Sequence, residues 1–289
     1  QPEKKSAVDS PNSKAGKRND HTMATNEISK LAMINFYVGT EIYEKRVFQF
    51  VNSAQPVAKF GSIEKIPAVR ANVDYFPMAR VRNGIVASLG LRLHYDQVFG
   101  LNSTVSNPPT KAPTRMWSAE AGLLYRFTRP DWPLLPIFNV SLGFGVREFV
   151  VQKSNALATG SLTGLPNLQY QYVYVTPIDL QWWPLKKNNF GLGIFGAGSY
   201  RYALTAGKAK GFIENDTNPG YGKASTQGFA GQGGILLGYK WLRVKAGIGF
   251  QQFALNFSND CNKQSTGCLV ASNALDQMRT WIVQFGTSY

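Results

Sequence analysis

The sequence has 289 residues, a formal net charge of +14 and a pI near 9.8, yet only 17% of its residues are charged while 13% are aromatic and 28 are glycine. Soluble domains carry roughly 25% charged residues, so this composition is not typical of them. No stretch approaches the ~20 consecutive apolar residues of a membrane-spanning helix, which excludes that class. The cations are scattered singly through apolar stretches, which is not the pattern of a nucleic-acid-binding protein, and we expect no nucleic-acid partner.

The first part of the chain differs from the rest. Residues 1–32 are rich in Lys, Ser, Asn, Asp and Pro and contain almost no large apolar residue. Such a segment cannot bury enough surface to offset the entropy lost on ordering. We therefore expect a disordered tail over 1–32, either idle or able to fold on a partner, and a separate folded unit over 33–289.

Beyond the tail, segments of period-two alternation follow one another, rich in β-branched and aromatic residues and separated by Gly, Pro, Asn and Asp. They cover 33–50, 66–78, 83–99, 115–128, 136–152, 169–183, 188–204, 226–240, 242–257 and 274–289. Long polar connections alternate with short ones, as in outer-membrane barrels, where external loops are long and periplasmic turns short. The sequence predicts an all-β fold, a closed antiparallel transmembrane β-barrel of about ten strands with both chain ends in the periplasm.

The third segment shows which face of such a barrel is apolar, because successive side chains of a strand point to opposite faces. Its apolar face consists of Ile85, Ala87, Leu89, Leu91, Leu93 and Tyr95, and its polar face of Ser88, Gly90, Arg92, His94 and Asp96. A soluble sandwich or barrel with an apolar core is the alternative interpretation. Several apolar faces are nevertheless long enough to cross a ~25 Å hydrocarbon band, which favours the membrane.

Aromatic residues collect at both ends of the predicted strands, as expected of girdles at the two lipid interfaces. Near the short turns lie Phe36, Tyr75, Phe127, Trp132, Trp182, Trp183, Phe190, Tyr239, Trp241, Phe285 and Tyr289. Near the long loops lie Tyr95, Phe99, Trp117, Tyr170, Tyr172, Tyr200, Tyr202, Phe250 and Trp281.

The last segment places Trp281, Val283, Phe285 and the terminal Tyr289 on one face. This strand resembles the C-terminal strand of the bacterial outer-membrane β-barrel superfamily, which ends in an aromatic residue after alternating apolar positions. Thr287 departs from the aromatic or apolar residue that is usual at the third-last place, and Tyr replaces the commoner Phe at the end. The resemblance implies insertion into the outer membrane by its assembly machinery.

Charged side chains are predicted to point into the barrel. They are Glu41, Arg70, Asp74, Arg92, His94, Asp96, Glu120, Arg126, Arg147, Asp179, Arg201, Arg243 and Lys245. Opposite charges are mixed, with a basic surplus. A ten-stranded barrel is only slightly wider than the eight-stranded kind that its own side chains fill, so we expect a largely plugged lumen.

Three functions are compatible with this architecture. The first is a non-enzymatic anchor or subunit of a cell-envelope complex, which contacts other envelope proteins through its tail or external loops. The second is a narrow pore that prefers anions. The third is a surface hydrolase similar to the omptin family, with His94 and Asp96 near the outer rim, although the paired aspartates and the Asp-x-His order of that family are missing. We expect no metal site and no cofactor, since no motif for either occurs.

Two features of the predicted loops concern the outside of the cell. Cys261 and Cys268 lie in one short polar stretch, which indicates a disulfide formed in an oxidising compartment. Lys208, Lys210 and Lys223 are candidates for contact with lipopolysaccharide phosphates. Both features favour the cell surface.

Overall fold

The computed structural model describes residues 32–51, 65–79, 85–105, 110–127, 136–151, 168–206, 224–257 and 273–289. Their elements, in chain order, are β1 (Ile34–Val51), β2 (Ile66–Tyr75), α1 (Ile85–Ser88), β3 (Leu89–Val98), β4 (Asn102–Val105), β5 (Thr110–Phe127), β6 (Ile137–Val151), β7 (Leu168–Lys187), β8 (Phe190–Ala206), β9 (Ala224–Tyr239), β10 (Leu242–Phe257) and β11 (Asn273–Ser288). The predicted tail up to residue 31, the two cysteines and the three loop lysines lie outside the described residues.

Ten of these strands form a closed antiparallel barrel. Consecutive strands pair with each other, β1 pairs with β11, and β3 pairs with β5 across the point where β4 intervenes in the chain. Closure gives both edges of every barrel strand a partner, which removes the bare sheet edge that hydrocarbon would not tolerate. The predicted fold class is confirmed.

The two ends of the barrel differ, and we name them by their connections. The turn end carries the two-residue turns at Asn188–Asn189 and Lys240–Trp241 and the C-terminal residue Tyr289. At the loop end, β8 ends at Ala206 and β9 begins at Ala224, and β10 ends at Phe257 and β11 begins at Asn273. A hydrogen bond from the Met33 amide to the Tyr289 carbonyl, with an N–O distance of 2.6 Å, joins the two ends of the described chain at the turn end.

The predicted start of the third strand, at residue 83, is wrong. Ile85–Ser88 form the single helical turn α1, and the extended chain begins only at Leu89. On the β2 side the ladder ends at the pair of Tyr75 with Leu91, two residues after the start of β3. At the loop end, β4 pairs with the start of β5, from Asn102 opposite Pro113 to Val105 opposite Thr110, and β5 therefore begins five residues before the predicted position 115.

The exterior of the barrel is apolar. Leu123, Phe229 and Ile248 are 64%, 61% and 57% exposed, whereas charged side chains such as Arg147 and Asp276 are 2% and 1% exposed. A soluble monomer rarely exposes so large an apolar surface. Among the described residues, no helix is long and apolar enough to cross a membrane.

Apolar and aromatic side chains fill the interior at both ends. The loop-end layer contains Tyr43, Ala68, Val98, Leu101, Met116, Phe149 and Met278, and beside it Tyr170 stacks on Phe253 with a ring-centroid distance of 4.3 Å. The turn-end layer contains Trp183, Phe195 and Leu236 together with Phe76, Ala79 and Leu124. Between the two layers lies a polar middle section.

Several interior glycines make room for these rings. A Cβ atom at Gly145 would lie 2.5 Å from the Tyr172 ring, and one at Gly228 would lie 2.6 Å from the Phe253 ring. The Trp183 ring likewise lies 3.1 Å from the Cβ position of Gly193. The glycine content is thus explained in part by large rings packed against bare backbone.

Strand β7 contradicts part of the predicted aromatic girdles. Tyr170, Tyr172 and Trp183 are 1%, 0% and 8% exposed, so they point inward rather than to the exterior. The register of β7 against β8 shifts between Val175 and Ile178 and again between Trp182 and Leu185. Each irregularity can exchange the inward and outward faces of the residues that follow it. Pro177, which cannot donate a ladder hydrogen bond, lies within the irregularity between Val175 and Ile178.

Candidate functional site

The structure places the side chains predicted to point inward on the interior of the barrel. Most of them line one cavity of about 140 Å³ in the polar middle section. These are Glu41, Arg70, Asp74, Arg92, His94, Asp96, Glu120, Asp179, Arg201 and Lys245. Arg126, Arg147 and Arg243 are buried but do not line it.

One arginine connects two walls of the lumen. Arg92 of β3 donates two hydrogen bonds to Asp74 of β2, at 2.7 and 3.0 Å, and a third to Asp179 of β7 at 2.5 Å. The guanidinium fork matches a carboxylate in this bidentate geometry. Because Asp179 belongs to a strand that is not next to β3, the contact crosses the lumen.

A second arginine makes a similar crossing. Arg70 of β2 donates to Glu41 of β1 at 3.2 Å and to the side-chain oxygen of Gln232 of β9 at 3.1 Å. Further around the wall, Glu120 of β5 accepts hydrogen bonds from Arg201 of β8 at 2.6 Å and from the Tyr172 hydroxyl at 2.7 Å. The contacts of Arg70 with Gln232 and of Arg201 with Glu120 connect strands that are not neighbours in the barrel.

Asp96 is the acceptor for several donors. The Tyr43 hydroxyl donates to it at 3.1 Å, the Ser118 hydroxyl also donates to it, and His94 Nε2 lies 3.2 Å from it. His94 Nδ1 lies 2.5 Å from the side-chain oxygen of Asn72. The serine hydroxyl therefore contacts the carboxylate rather than the imidazole, which is not the pairing of a nucleophile with its general base.

His94 and Asp96 lie deeper than the rim position expected of a surface hydrolase. Their side chains are only 10% and 8% exposed. Tyr43, which donates to Asp96, belongs to the loop-end layer, so this layer lies between the pair and the loops. The pair lines the cavity of the polar middle section.

The basic surplus of the interior lies at its ends rather than in the cavity. The cavity lining has four arginine or lysine residues and five carboxylates. At the turn end, the Arg126 guanidinium lies 3.7 Å from the Phe76 ring centroid and donates to the carbonyl of Ala32 at 3.1 Å. Ala32, placed in the tail by its sequence, is thus buried against the barrel. Arg243 likewise lies 5.0 Å from the centroid of the Trp183 ring.

The third arginine outside the cavity lies towards the loop end. Arg147 donates to the side-chain oxygen of Gln251 and contacts the Met278 sulfur. None of these three arginines forms an ion pair with a carboxylate among the residues that the structure describes.

The sequence analysis missed a buried ion pair. Arg46 of β1 donates to both carboxylate oxygens of Asp276 of β11, at 2.9 and 3.0 Å, and the two side chains are 5% and 0% exposed. A register shift between Tyr43 and Lys45 turns Arg46 inward, and the sequence carries no mark of this bulge. Asp276 could have been predicted to point inward, because inward and outward residues alternate without interruption along β11 from Asp276 to the outward Trp281.

Within the described part of the chain, no group of three or more His, Cys, Asp or Glu residues is placed to hold a metal ion. No protein-family model matches the sequence, and no curated protein matches it. Among solved structures, the chain is similar to the outer membrane protease OmpT from Escherichia coli, with 9% sequence identity, a TM-score of 0.38 and coverage of 89% of this chain and 96% of that one. No residue role is transferred from this distant similarity.

Proposed function

We propose that this chain is an integral β-barrel of the bacterial outer membrane and serves as a non-conducting, non-enzymatic anchor or subunit of a cell-envelope complex. The observation that carries the proposal is the inverted distribution of side chains. Large apolar residues cover the outside of a closed barrel, while paired charges and packed rings fill the inside. Hydrocarbon is the solvent in which this distribution is stable.

Aromatic residues on the exterior support the membrane placement. At the turn end, Phe190, Tyr239 and Trp241 are 52%, 55% and 63% exposed. At the loop end, Phe99 and Tyr202 are 54% and 48% exposed. Outer-membrane barrels carry girdles of aromatic residues at both lipid interfaces, so these two sets mark the borders of the apolar band. With the turn end in the periplasm, the loops face lipopolysaccharide on the cell surface.

The C-terminal strand supports delivery by the outer-membrane assembly machinery. Trp281, Val283 and Phe285 point outward and are 52%, 43% and 55% exposed, and Tyr289 is 65% exposed. These side chains form one continuous stripe that a partner could contact before the barrel closes. In the finished barrel the same stripe faces lipid.

The filled interior favours an anchor over a pore or a hydrolase. The loop-end and turn-end layers lie on either side of the polar section, and arginine–carboxylate contacts cross it. The nearly balanced charge of the cavity lining gives an anion no preferred path. His94 and Asp96 are packed beneath the loop-end layer, where an external peptide does not reach them.

Reconstitution of the full chain into planar lipid bilayers tests this proposal. We expect no steady conductance, because the side chains of the loop-end and turn-end layers occupy the lumen on either side of the polar section. A porin with about sixteen strands in the same bilayer is the positive control, since such barrels leave an aqueous channel. A steady, anion-selective current through the wild-type chain would contradict the anchor and support the narrow pore.

A further inference from the structure

Two neighbouring turns at the turn end form one exposed surface. The turn between β7 and β8 lies beside the turn between β9 and β10, because the Lys240 amide donates to the Asn189 carbonyl at 2.9 Å. Lys187, Phe190 and Tyr239 lie side by side on β7, β8 and β9. We name this surface the turn-end patch, and its exposed members are Lys186, Lys187, Phe190, Tyr239, Lys240 and Trp241.

The side-chain charge of the turn-end patch has one sign. It carries three lysines, and among the described residues no Asp or Glu side chain lies at the turn end of β7, β8, β9 or β10. Lys187 and Lys240 form no ion pair with a carboxylate in the described part of the chain. The Tyr289 carbonyl oxygen is engaged by the amides of Met33 and Ile34, at 2.6 and 3.0 Å. The patch is therefore a cluster of positive charge.

The opposite end of the barrel differs in this respect. Its exposed charged side chains include the carboxylate of Glu44 as well as the cations of Lys65 and Arg279. Both signs are therefore present at the loop end, and the one-sided charge is a property of the turn end.

The lysines of the patch lie where the apolar exterior of the barrel ends. Phe190, Tyr239 and Trp241 are 52%, 55% and 63% exposed, and the Lys240 ammonium lies 5.6 Å from the centroid of the Tyr239 ring. A lysine at such a border extends its methylene stem along the apolar surface and keeps its ammonium in the polar layer. The patch thus offers positive charge on its aqueous side and exposed rings on its lipid side.

We infer that the turn-end patch binds an anionic phospholipid of the periplasmic leaflet. The inference rests on the proposed membrane placement. The lipid phosphate lies against the lysine ammonium groups, and the acyl chains lie against the exposed rings. Free phosphate lacks the chains and a zwitterionic phospholipid lacks the net charge, so neither matches both parts of the patch. Each lysine close to an acidic lipid surface contributes about fivefold in affinity.

Lipid titrations of the folded barrel test this inference. The full chain in neutral detergent is titrated with phosphatidylglycerol or with phosphatidylcholine of the same acyl chains, and native mass spectrometry counts the bound lipids. We expect phosphatidylglycerol to bind at least about fivefold more tightly. Equal affinities would overturn the inference. Inorganic phosphate at the same concentration is expected to leave the lipid bound, and displacement of the lipid by it would overturn the choice of a phospholipid.

Lys240→Gly and Lys65→Gly are a matched pair of variants that localise the site. Both lysines are exposed and have a φ of 53°, which favours glycine, so both changes relieve the same backbone strain, but Lys65 lies at the loop end. We expect Lys240→Gly to weaken phosphatidylglycerol binding about fivefold, and Lys240→Gly with Lys187→Gln about 25-fold. Lys65→Gly leaves it unchanged. Equal losses for the two glycine variants would exclude the patch as the site.

Insertion into vesicles separates the lipid site from the membrane placement on which it rests. The wild type and all variants are expected to insert into phosphatidylcholine vesicles and to give the circular dichroism of a β-barrel. Failure of the wild type to insert would contradict the membrane placement and the lipid site together. Insertion without any preference for phosphatidylglycerol would contradict the lipid site alone.

Discussion

Replacing Asp276 with asparagine is expected to lower the free energy of unfolding by about 3–5 kcal/mol. The Asp276 carboxylate accepts two hydrogen bonds from Arg46 and a third, at 3.3 Å, from the Tyr170 hydroxyl. Without it the Arg46 guanidinium, 3.7 Å from the Phe149 ring centroid, remains as an uncompensated charge in a buried site. Urea unfolding of the barrel in detergent micelles measures the change.

A double variant shows how much of the loss in the free energy of unfolding comes from the unpaired Arg46 charge rather than from the absence of the Asp276 side chain. Arg46→Met together with Asp276→Leu removes both charges and keeps similar volumes, and we expect its stability to lie close to that of the wild type. If Asp276→Asn alone unfolds at the wild-type urea concentration, the pair does not stabilise the loop end.

Replacing Phe253 with alanine is expected to cost about 3–5 kcal/mol, because the ring is fully buried and its loss leaves a cavity. The ring stacks on Tyr170 and lies 5.8 Å from the Tyr172 ring, so its removal also loosens the packing beside the loop-end layer. Gly228 leaves no side chain to fill the space.

Phe250 provides a matched control for this prediction. It lies three residues earlier on the same strand, points to the exterior and is 39% exposed, so Phe250→Ala leaves no internal cavity and is expected to cost much less. Unfolding in urea compares both variants under one set of conditions. Equal losses for the two would mean that the interior ring is not packed as described.

The architecture could be predicted from the sequence because successive side chains of a barrel strand point alternately to lipid and to the lumen, so apolar and polar residues alternate along the chain. The alternation of Arg92, His94 and Asp96 with Leu91 and Leu93 is local, and the structure retains it. The number of barrel strands follows from counting such alternating segments, and the lengths of the connections predict which end of each strand carries a turn or a loop.

The structure differs from the prediction in two situations. In the first, one inserted residue exchanges the inward and outward faces of a strand, and in the second, the contacting residues are far apart in the chain. The bulge after Tyr43 turns Arg46 inward, and the irregularity between Val175 and Ile178 gives Tyr172 and Trp183, on either side of it, the same inward face. The contact of Arg92 with Asp179 joins residues 87 positions apart, and alternation does not predict which acid a given arginine will reach.

A depth-dependent pair of arginine substitutions on the exterior tests the membrane placement most directly. Ile248 lies midway along β10 and Leu204 near the loop end of β8; both point outward, 57% and 56% exposed. In lipid bilayers, Ile248→Arg is expected to lower the free energy of unfolding by about 2–4 kcal/mol, and Leu204→Arg by no more than about 1 kcal/mol. A loss below about 0.5 kcal/mol for both variants, as for a water-exposed surface, would contradict a hydrocarbon-facing barrel.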